Sequence, residues 1–304
     1  MITGETLGLV KAGIDEVRKI QVKTKRQFWP RVAPAMTCKE GFYRSKIITG
    51  FKELLIHTKG QSVRGDTKEA LFDTNIYPLL WARAYDWDIE ANEDDVYNEI
   101  SKIPRDATIA QNRTWNKQVV ATFLTNGFSA SYPIYDTLAL YSASHTSAAG
   151  VAVRSNLASP VLSLSSANLE KGLMFLWDQT DPNGETMEYE GGAKLFVNNK
   201  LYPVGTRIVQ ADKFAQTNDN DPNAINGSYI TVERMPHLGA TSNNWYLRAR
   251  DDDEHGWRTL SWFTSKVLKL PMDRQLQEGL VVLSRFRPTV LQWEGCWASG
   301  ADGA

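Results

Sequence analysis

Cysteine is scarce: Cys38 and Cys296 are the two in 304 residues, far apart and without a CxxC neighbour. No disulfide framework or cysteine-built zinc site follows from that, and a reducing cytosol fits best. The four histidines, His57, His145, His237 and His255, include no HExxH pair and no second histidine at metal-ligand spacing, so no catalytic zinc is expected. Long apolar runs are missing as well. No stretch approaches the roughly 20 apolar residues of a membrane span, and the opening MITGETLGLVKAGIDE lacks the apolar core of a signal peptide. The expectation is a soluble chain made in the cytosol. Charge of one sign is also lacking. A net charge of -1 removes the usual argument for a dedicated nucleic-acid binder.

What is present is an ordinary globular composition, 42% hydrophobic and 23% charged, with length enough for one large or two modest domains. Ten Trp, eleven Tyr and eleven Phe exceed what a minimal core needs. Aromatic side chains bury large areas and are enriched in protein contacts as well as in cores.

Over residues 6–26, Leu7, Val10, Ile14, Val17 and Ile20 recur every three or four positions, one stripe of an amphipathic helix. Its other face carries Lys11, Arg18, Lys19, Lys23, Lys25 and Arg26 against Glu5, Asp15 and Glu16. A solvated face is the plainer reading, and a basic arm touching nucleic acid or a partner is the sharper one. Trp29-Pro30 and Val32-Ala33-Pro34 are expected to break that helix. Residues 41–81 form a long excursion with strand signals at Phe42-Tyr43 and Lys46-Ile47-Ile48, punctuated by Gly50, Gly60 and Gly65. So long an excursion inside a domain usually has a job or a partner.

Residues 84–89 alternate like a half-buried strand. Asn92, followed by Glu93, Asp94 and Asp95, reads as a helix cap with acids in the first turn. Pro104 is expected to end or kink that helix and to open a second one over 104–126, stopped by Gly127. Residues 129–160 read as loop. Ser165-Ser166 caps a helix over Leu169, Leu173, Leu176 and Trp177, ended by the Asp181-Pro182-Asn183-Gly184 turn. Leu195-Phe196-Val197 is a strand, Pro203-Val204-Gly205 leads into a helix over Ile208, Val209, Ala211 and Phe214, and residues 229–232, 245–249, 257–263 and 279–293 read as strands. The layout is α+β, with helices early and mostly antiparallel strands late.

Candidate chemistry is thin. Ser142-Ala143-Ser144-His145 sets hydroxyls beside an imidazole, but triads form in space and no GxSxG elbow exists. Asp251-Asp252-Asp253-Glu254-His255 lacks EF-hand spacing and its glycine, so a solvated turn between strands is the preferred reading. Glu185, Glu188 and Glu190 are too close in sequence to be more than exposed loop charges, and Gly191-Gly192 lacks a phosphate-binding frame. No catalytic, cofactor-binding or metal-binding residue and no cofactor is expected; the chain reads as a non-enzyme.

The order of pieces carries more. A basic helical arm, an excursion, an acidic-capped helix, a long second helix and then Leu140-Tyr141-Ser142-Ala143-Ser144-His145 form a series that resembles the major capsid proteins of tailed bacteriophages. These have the Hong-Kong-97 fold, and within them the chain resembles the Mu-like major head subunits. Asn156-Leu157, the helix through Trp177, Leu195-Phe196-Val197 before Leu201-Tyr202-Pro203, Trp245-Tyr246-Leu247, Arg285-Phe286-Arg287 and Trp293-Glu294-Gly295 follow in the family's order, over essentially the whole chain. The resemblance implies an N-terminal arm over 1–40 and an extended E-loop over 41–83. It further implies a peripheral domain with a spine helix over 84–160, an axial domain over 161–250 and closing strands over 251–304. It implies a virion shell of hexamers and pentamers around double-stranded DNA, assembled in the host bacterial cytoplasm with a portal and a decoration protein. The arm begins within about ten residues of Met1, so a separate scaffolding protein is expected. Some relatives cross-link through lysine; Lys52, Lys59 and Lys68 lie in the excursion, and no such role is transferred to them. The rival readings are a cellular nanocompartment (encapsulin-like) shell of the same fold, a phage tail or decoration protein, and, from another class, a hydrolase using His145 or the 251–255 cluster.

Overall fold

The structure, a computed structural model, describes residues 27–48, 62, 65, 68, 70–88, 99–145, 153–187, 189, 192–213, 223, 225–226, 230–239, 242–250, 256–270 and 277–300. The amphipathic stretch 6–26, Phe51, Lys52, His57, Lys59, the Asn92 cap, Glu188, Glu190, Gly191, Phe214 and the acidic run 251–255 lie outside the described residues. The strands are β1 (Ala35–Thr37), β2 (Tyr43–Ile48), β3 (Ala70–Ile76), β4 (Leu79–Asp88), β5 (Ala193–Val197), β6 (Ile230–Arg234), β7 (Trp245–Ala249), β8 (Trp257–Leu270), β9 (Gln277–Val290) and β10 (Cys296–Ser299). The helices are α1 (Trp29–Val32), α2 (Glu99–Val120), α3 (Ser166–Trp177) and α4 (Tyr202–Gln210). They fall into two units, each drawn from separated stretches of chain: Met1–Phe42, Tyr77–Val119 and Thr259–Pro288 in one, Tyr43–Ile76, Val120–Arg258 and Thr289–Ala304 in the other.

The first unit is built on a sheet of order β1-β8-β9-β4. β4 and β9 are rich in aromatic and β-branched residues and pair antiparallel from Leu79↔Phe286 to Asp88↔Gln277. Alternation then puts Trp81 and Tyr85 on the face that carries Ser284 and Phe286. Against that face lies α2, through Trp115. Its indole stacks on Phe286 at 4.0 Å and 16°, meets Trp29 of α1 at 4.7 Å, and donates from Nε1 to Ser284 Oγ at 2.9 Å. Asn116, next in sequence, accepts the Trp29 N–H at 3.1 Å. On the sheet's other face Leu80 and Leu268 are exposed.

One proline expectation fails here. Pro104 neither ends nor opens a helix; it stands inside α2, which runs on to Val120 and through a π-helical turn over Ala121–Thr125. A proline removes a single i→i−4 bond, in an early turn where few such bonds have formed. Thr108 Oγ1 also caps the Pro104 carbonyl at 2.9 Å. Pro30 sits in the first turn of α1, where its missing N–H has no acceptor to lose.

The second unit holds a sheet of order β10-β7-β5-β6 in which β5 and β6 run parallel. The late strands are mostly antiparallel, as expected, with β7 antiparallel to both β5 and β10, and the parallel pairs β5–β6 and β1–β8 make the two larger sheets mixed. The Ser165 hydroxyl accepts the Asn168 N–H and starts α3 as the sequence suggests. Leu169, Leu173 and Leu176 then face Trp245, Leu247 and Trp297, each Leu contributing about 1.5–3 kcal/mol by burial. A Cβ on Gly172 would lie 2.9 Å from both Leu247 and Trp297, so the helix approaches the sheet as closely as it does only because that position is glycine. α4 begins before Pro203 and stops at Gln210, because Ala211 is already extended. β8 extends past the expected 263 to Leu270, β9 ends at Val290, and Cys296–Ser299 forms a separate strand.

Truncating Trp115→Ala is expected to destabilise the first unit by about 3–5 kcal/mol. Trp115→Phe, which keeps the stack and loses the Ser284 hydrogen bond, should cost about 1 kcal/mol. Denaturant midpoints of the two variants check the ordering.

Candidate functional site

The described loop residues 129–145 and 153–160 are held by a buried polar knot in the second unit. His145 is 0% exposed, and its ring stacks on Trp293 at 4.1 Å and 13°. Its Nδ1 meets Asp136 Oδ2 at 2.6 Å. Its Nε2 faces the Leu140 carbonyl and Asn156 Oδ1, each at 3.2 Å. Asn156 is oriented by its own bonds: Oδ1 accepts the Ser142 N–H at 2.9 Å and Nδ2 donates to the Leu140 carbonyl at 2.8 Å. Both imidazole nitrogens thus face oxygen atoms.

A second pair completes the knot. Arg154 Nη1 donates to Glu294 Oε1 at 2.6 Å and to the Thr180 carbonyl at 2.8 Å. Its guanidinium carbon lies 4.7 Å from the centroid of Trp293. A backbone bridge joins His145 to Arg154. Gln179 donates to the Cys296 carbonyl at 2.9 Å and accepts the Gly295 N–H at 2.7 Å, tying the loop after α3 to the last strand. Thr137, between Asp136 and Leu138, is held at φ 68°, a strained position for a β-branched residue. The Asp136 carboxylate holds that turn by accepting the Leu138 N–H. Gly127 lies so close to the Tyr141 ring that a Cβ there would be 2.6 Å away.

This geometry reassigns the Ser-His candidate. Neither nitrogen of His145 meets a serine hydroxyl; Ser142 Oγ instead accepts the Ser144 N–H at 3.2 Å. The imidazole is buried, with Trp293 stacked on its ring and both nitrogens engaged. His237 is exposed in the turn after β6, and Glu185 is half-buried in the turn closed by Asp181. Gly192 takes the Arg250 N–H on its carbonyl rather than cradling an anion. No group of three metal-ligating side chains exists among the described residues, and no helix among them is long and apolar enough to cross a membrane. The sequence did not single out Asp136, Arg154, Gln179 or Glu294. The one signal was Glu294 set between Trp293 and Gly295, a carboxylate inside an apolar run.

Outward, the second unit presents the two-stranded sheet β2–β3, paired antiparallel from Tyr43↔Ile76 to Ile48↔Ala70 with a register shift near its outer end. Arg44 and Asp73 form an ion pair across it, and Phe72 meets Tyr135 edge-on at 5.2 Å. Two strands alone are marginal in water. Phe42 is exposed and Tyr43 half-buried, whereas Trp29 is buried against Trp115. In unit two Val153, Val161, Met174, Phe175 and Trp177 are exposed, and in unit one Tyr77, Leu79 and Leu80.

The family described as phage capsid protein matches residues 78–299. The chain belongs to the phage capsid protein family. Solved shells have its fold. The capsid of a native GTA particle aligns with a TM-score of 0.60 at 11% identity, over 92% of this chain and 91% of that one. The capsid of the cyanophage P-SCSP1u aligns with a TM-score of 0.59 at 14% identity, over 92% and 89%. The holo-SrpI encapsulin complex from Synechococcus elongatus aligns with a TM-score of 0.54 at 11% identity, over 91% and 88%. No curated protein matches the chain. This capsid protein is a shell subunit of Hong-Kong-97-like fold, a structural protein of the virion, and the resemblance drawn from its motifs holds at that level.

In the capsid protein the knot is expected to act on stability alone. His145→Ala strands the buried Asp136 carboxylate and should destabilise the subunit by about 3–5 kcal/mol, read as a lowered denaturation midpoint. Burial pushes the Cys296 thiol and the Tyr141 and Tyr246 phenols above their ordinary ranges. Groups with raised folded pKa values contribute stability that is intact below their unfolded pKa. Stability is therefore expected to be insensitive to these groups below about pH 9 and to fall above it, as the unfolded chain ionises what the fold keeps neutral. Denaturation midpoints between pH 7 and about pH 11 check the sign.

Proposed function

We propose that the chain is the major head subunit of a Mu-like tailed phage, forming the hexamers and pentamers of an icosahedral shell around double-stranded DNA. The observation that carries this is the phage capsid family match over residues 78–299. Assembly takes place in the host bacterial cytoplasm, with a separate scaffolding protein, a portal and a decoration protein as partners. Residues 1–40 act as an arm, 41–83 as an E-loop with β2–β3 at its base, 84–160 as a peripheral domain with α2 as its spine helix, 161–250 as an axial domain, and 251–304 as closing strands. The hairpin supports this division: two strands with exposed Ile48 at the outer end gain stability when a neighbouring copy covers them. Identical copies under closed symmetry can all cover one another in this way. The chain needs no chemistry for that work.

A cellular nanocompartment is the second reading, favoured by the fold it shares with an encapsulin. Co-expression with a scaffold is expected to give closed particles hundreds of Å across in negative-stain electron microscopy. Particles carrying DNA support the phage head, and particles carrying an enzyme support the compartment. A monodisperse 34.2 kDa species under all conditions overturns both.

A further inference from the structure

In the second unit α3 and α4 lie on one face of the sheet, at its opposite edges. The row Trp297, Leu247, Leu195 and Val232 crosses the four strands in the order β10-β7-β5-β6. α3 closes on Leu247 and Trp297 at one end of that row, where Gly172 sits. α4 closes on the other end, where a Cβ on Gly205 would lie 3.3 Å from Leu195 and 3.4 Å from Val232. Each helix therefore has an outer flank of its own, and the two flanks differ in shape and in charge.

Between α3 and the segment 153–159, which Leu157 bridges to Ala298 of β10, runs an open groove of about 960 Å³. Val153, Met174 and Phe175 in its walls are exposed at 68%, 58% and 43%. Methionine and aromatic residues are the side chains that protein contacts favour. Among the described residues, α3 and the turn after it carry Glu170, Asp178, Asp181 and Glu185 against Lys171. The α4 flank is the converse. Val204 and Arg207, three apart, share the exposed face of that helix. Lys200 just before it, Lys213 just after it and Arg234 at the end of β6 add cations, against Asp212 and Glu233. The side chains of Asp178, Arg207 and Arg234 make no hydrogen bond or ion pair among the described residues.

An acidic apolar groove at one edge and a basic knob at the other fit a second copy of the chain set head to tail. The groove meeting its own kind across a two-fold axis would face acid with acid. Meeting the opposite flank, it pairs unlike charges, and a heterologous contact of that kind closes a ring when its rotation divides the circle. We propose that the α3 groove of one copy takes the α4 flank of the next, with Val204 and Arg207 entering beside Met174, Phe175 and Asp178, and that this contact closes the five- and six-membered rings. The inference rests on the shell reading above and names the surfaces that carry it.

Charge reversal tests the pairing. Asp178→Arg and Arg207→Asp each set like charges at every junction, and each should lower the yield of closed particles about ten-fold or more in electron microscopy. The double variant Asp178→Arg/Arg207→Asp restores unlike charges and should recover the wild-type yield. An equimolar mixture of the two single variants matches at every junction only when copies alternate, which a ring of six permits and a ring of five does not. It should therefore give six-membered rings in sheets or tubes and no closed shell. Denaturation midpoints of all variants should equal that of the wild type, because both side chains are exposed. Single variants that close shells as the wild type does would overturn the proposal. So would a double variant as defective as the singles, or a single variant with a lowered midpoint, which would place the residue in the subunit's own packing. A wild-type chain that forms no particle overturns the shell reading itself, a result distinct from these.

Discussion

The second unit depends on two buried polar pairs sharing one indole. Asp136 with His145, and Arg154 with Glu294, meet around Trp293. Ions in such a place are costly unless each lone pair and proton is matched. Here the matching partners come from four separated stretches: the turn at 136–145, the return at 154–156, the loop after α3, and the segment 293–296. The knot therefore does what a hydrophobic contact cannot. It specifies which loop lies where, because any other arrangement leaves a charge unpaired in the interior.

That demand explains the strain and close approaches beside it. Thr137 is held at positive φ so that Asp136 can point inward, and Gly127 gives up its Cβ to the Tyr141 ring. The described parts of the loop, 129–145 and 153–160, are fixed in this way from inside. In the first unit the same task falls to aromatic packing: Trp29, Trp115, Trp81 and Phe286 form one continuous contact between helix and sheet. The surplus of tryptophan in the composition is spent largely in such places.

The elements legible in the sequence are those set by local physics. The Ser165 cap and the leucine stripe of α3 specify that helix, the alternation in 84–88 specifies β4, and the aromatic and apolar run Trp245-Tyr246-Leu247 specifies β7, because capping and periodicity act within a few residues. Local rules misled at Pro104, which looks like a helix boundary yet stands inside α2. The extent of β8 and the parallel pairing of β5 with β6 were not legible, since strand ends and neighbours are chosen by the rest of the sheet. The Ser-x-Ser-His run showed that something in the loop mattered. Its role depended on Asp136, Asn156 and Trp293, which no spacing rule connects to it.

The sequence by itself determined the α+β character, the capsid-like order of motifs and the absence of any recognisable catalytic frame, since these rest on composition and short-range pattern. The tertiary structure alone decided that His145 is buried, that Trp29 is core and that Met174 and Phe175 are left exposed. Each of these is a fact about burial. Burial is a property of what the rest of the chain lays over a residue, and a linear reading cannot contain it.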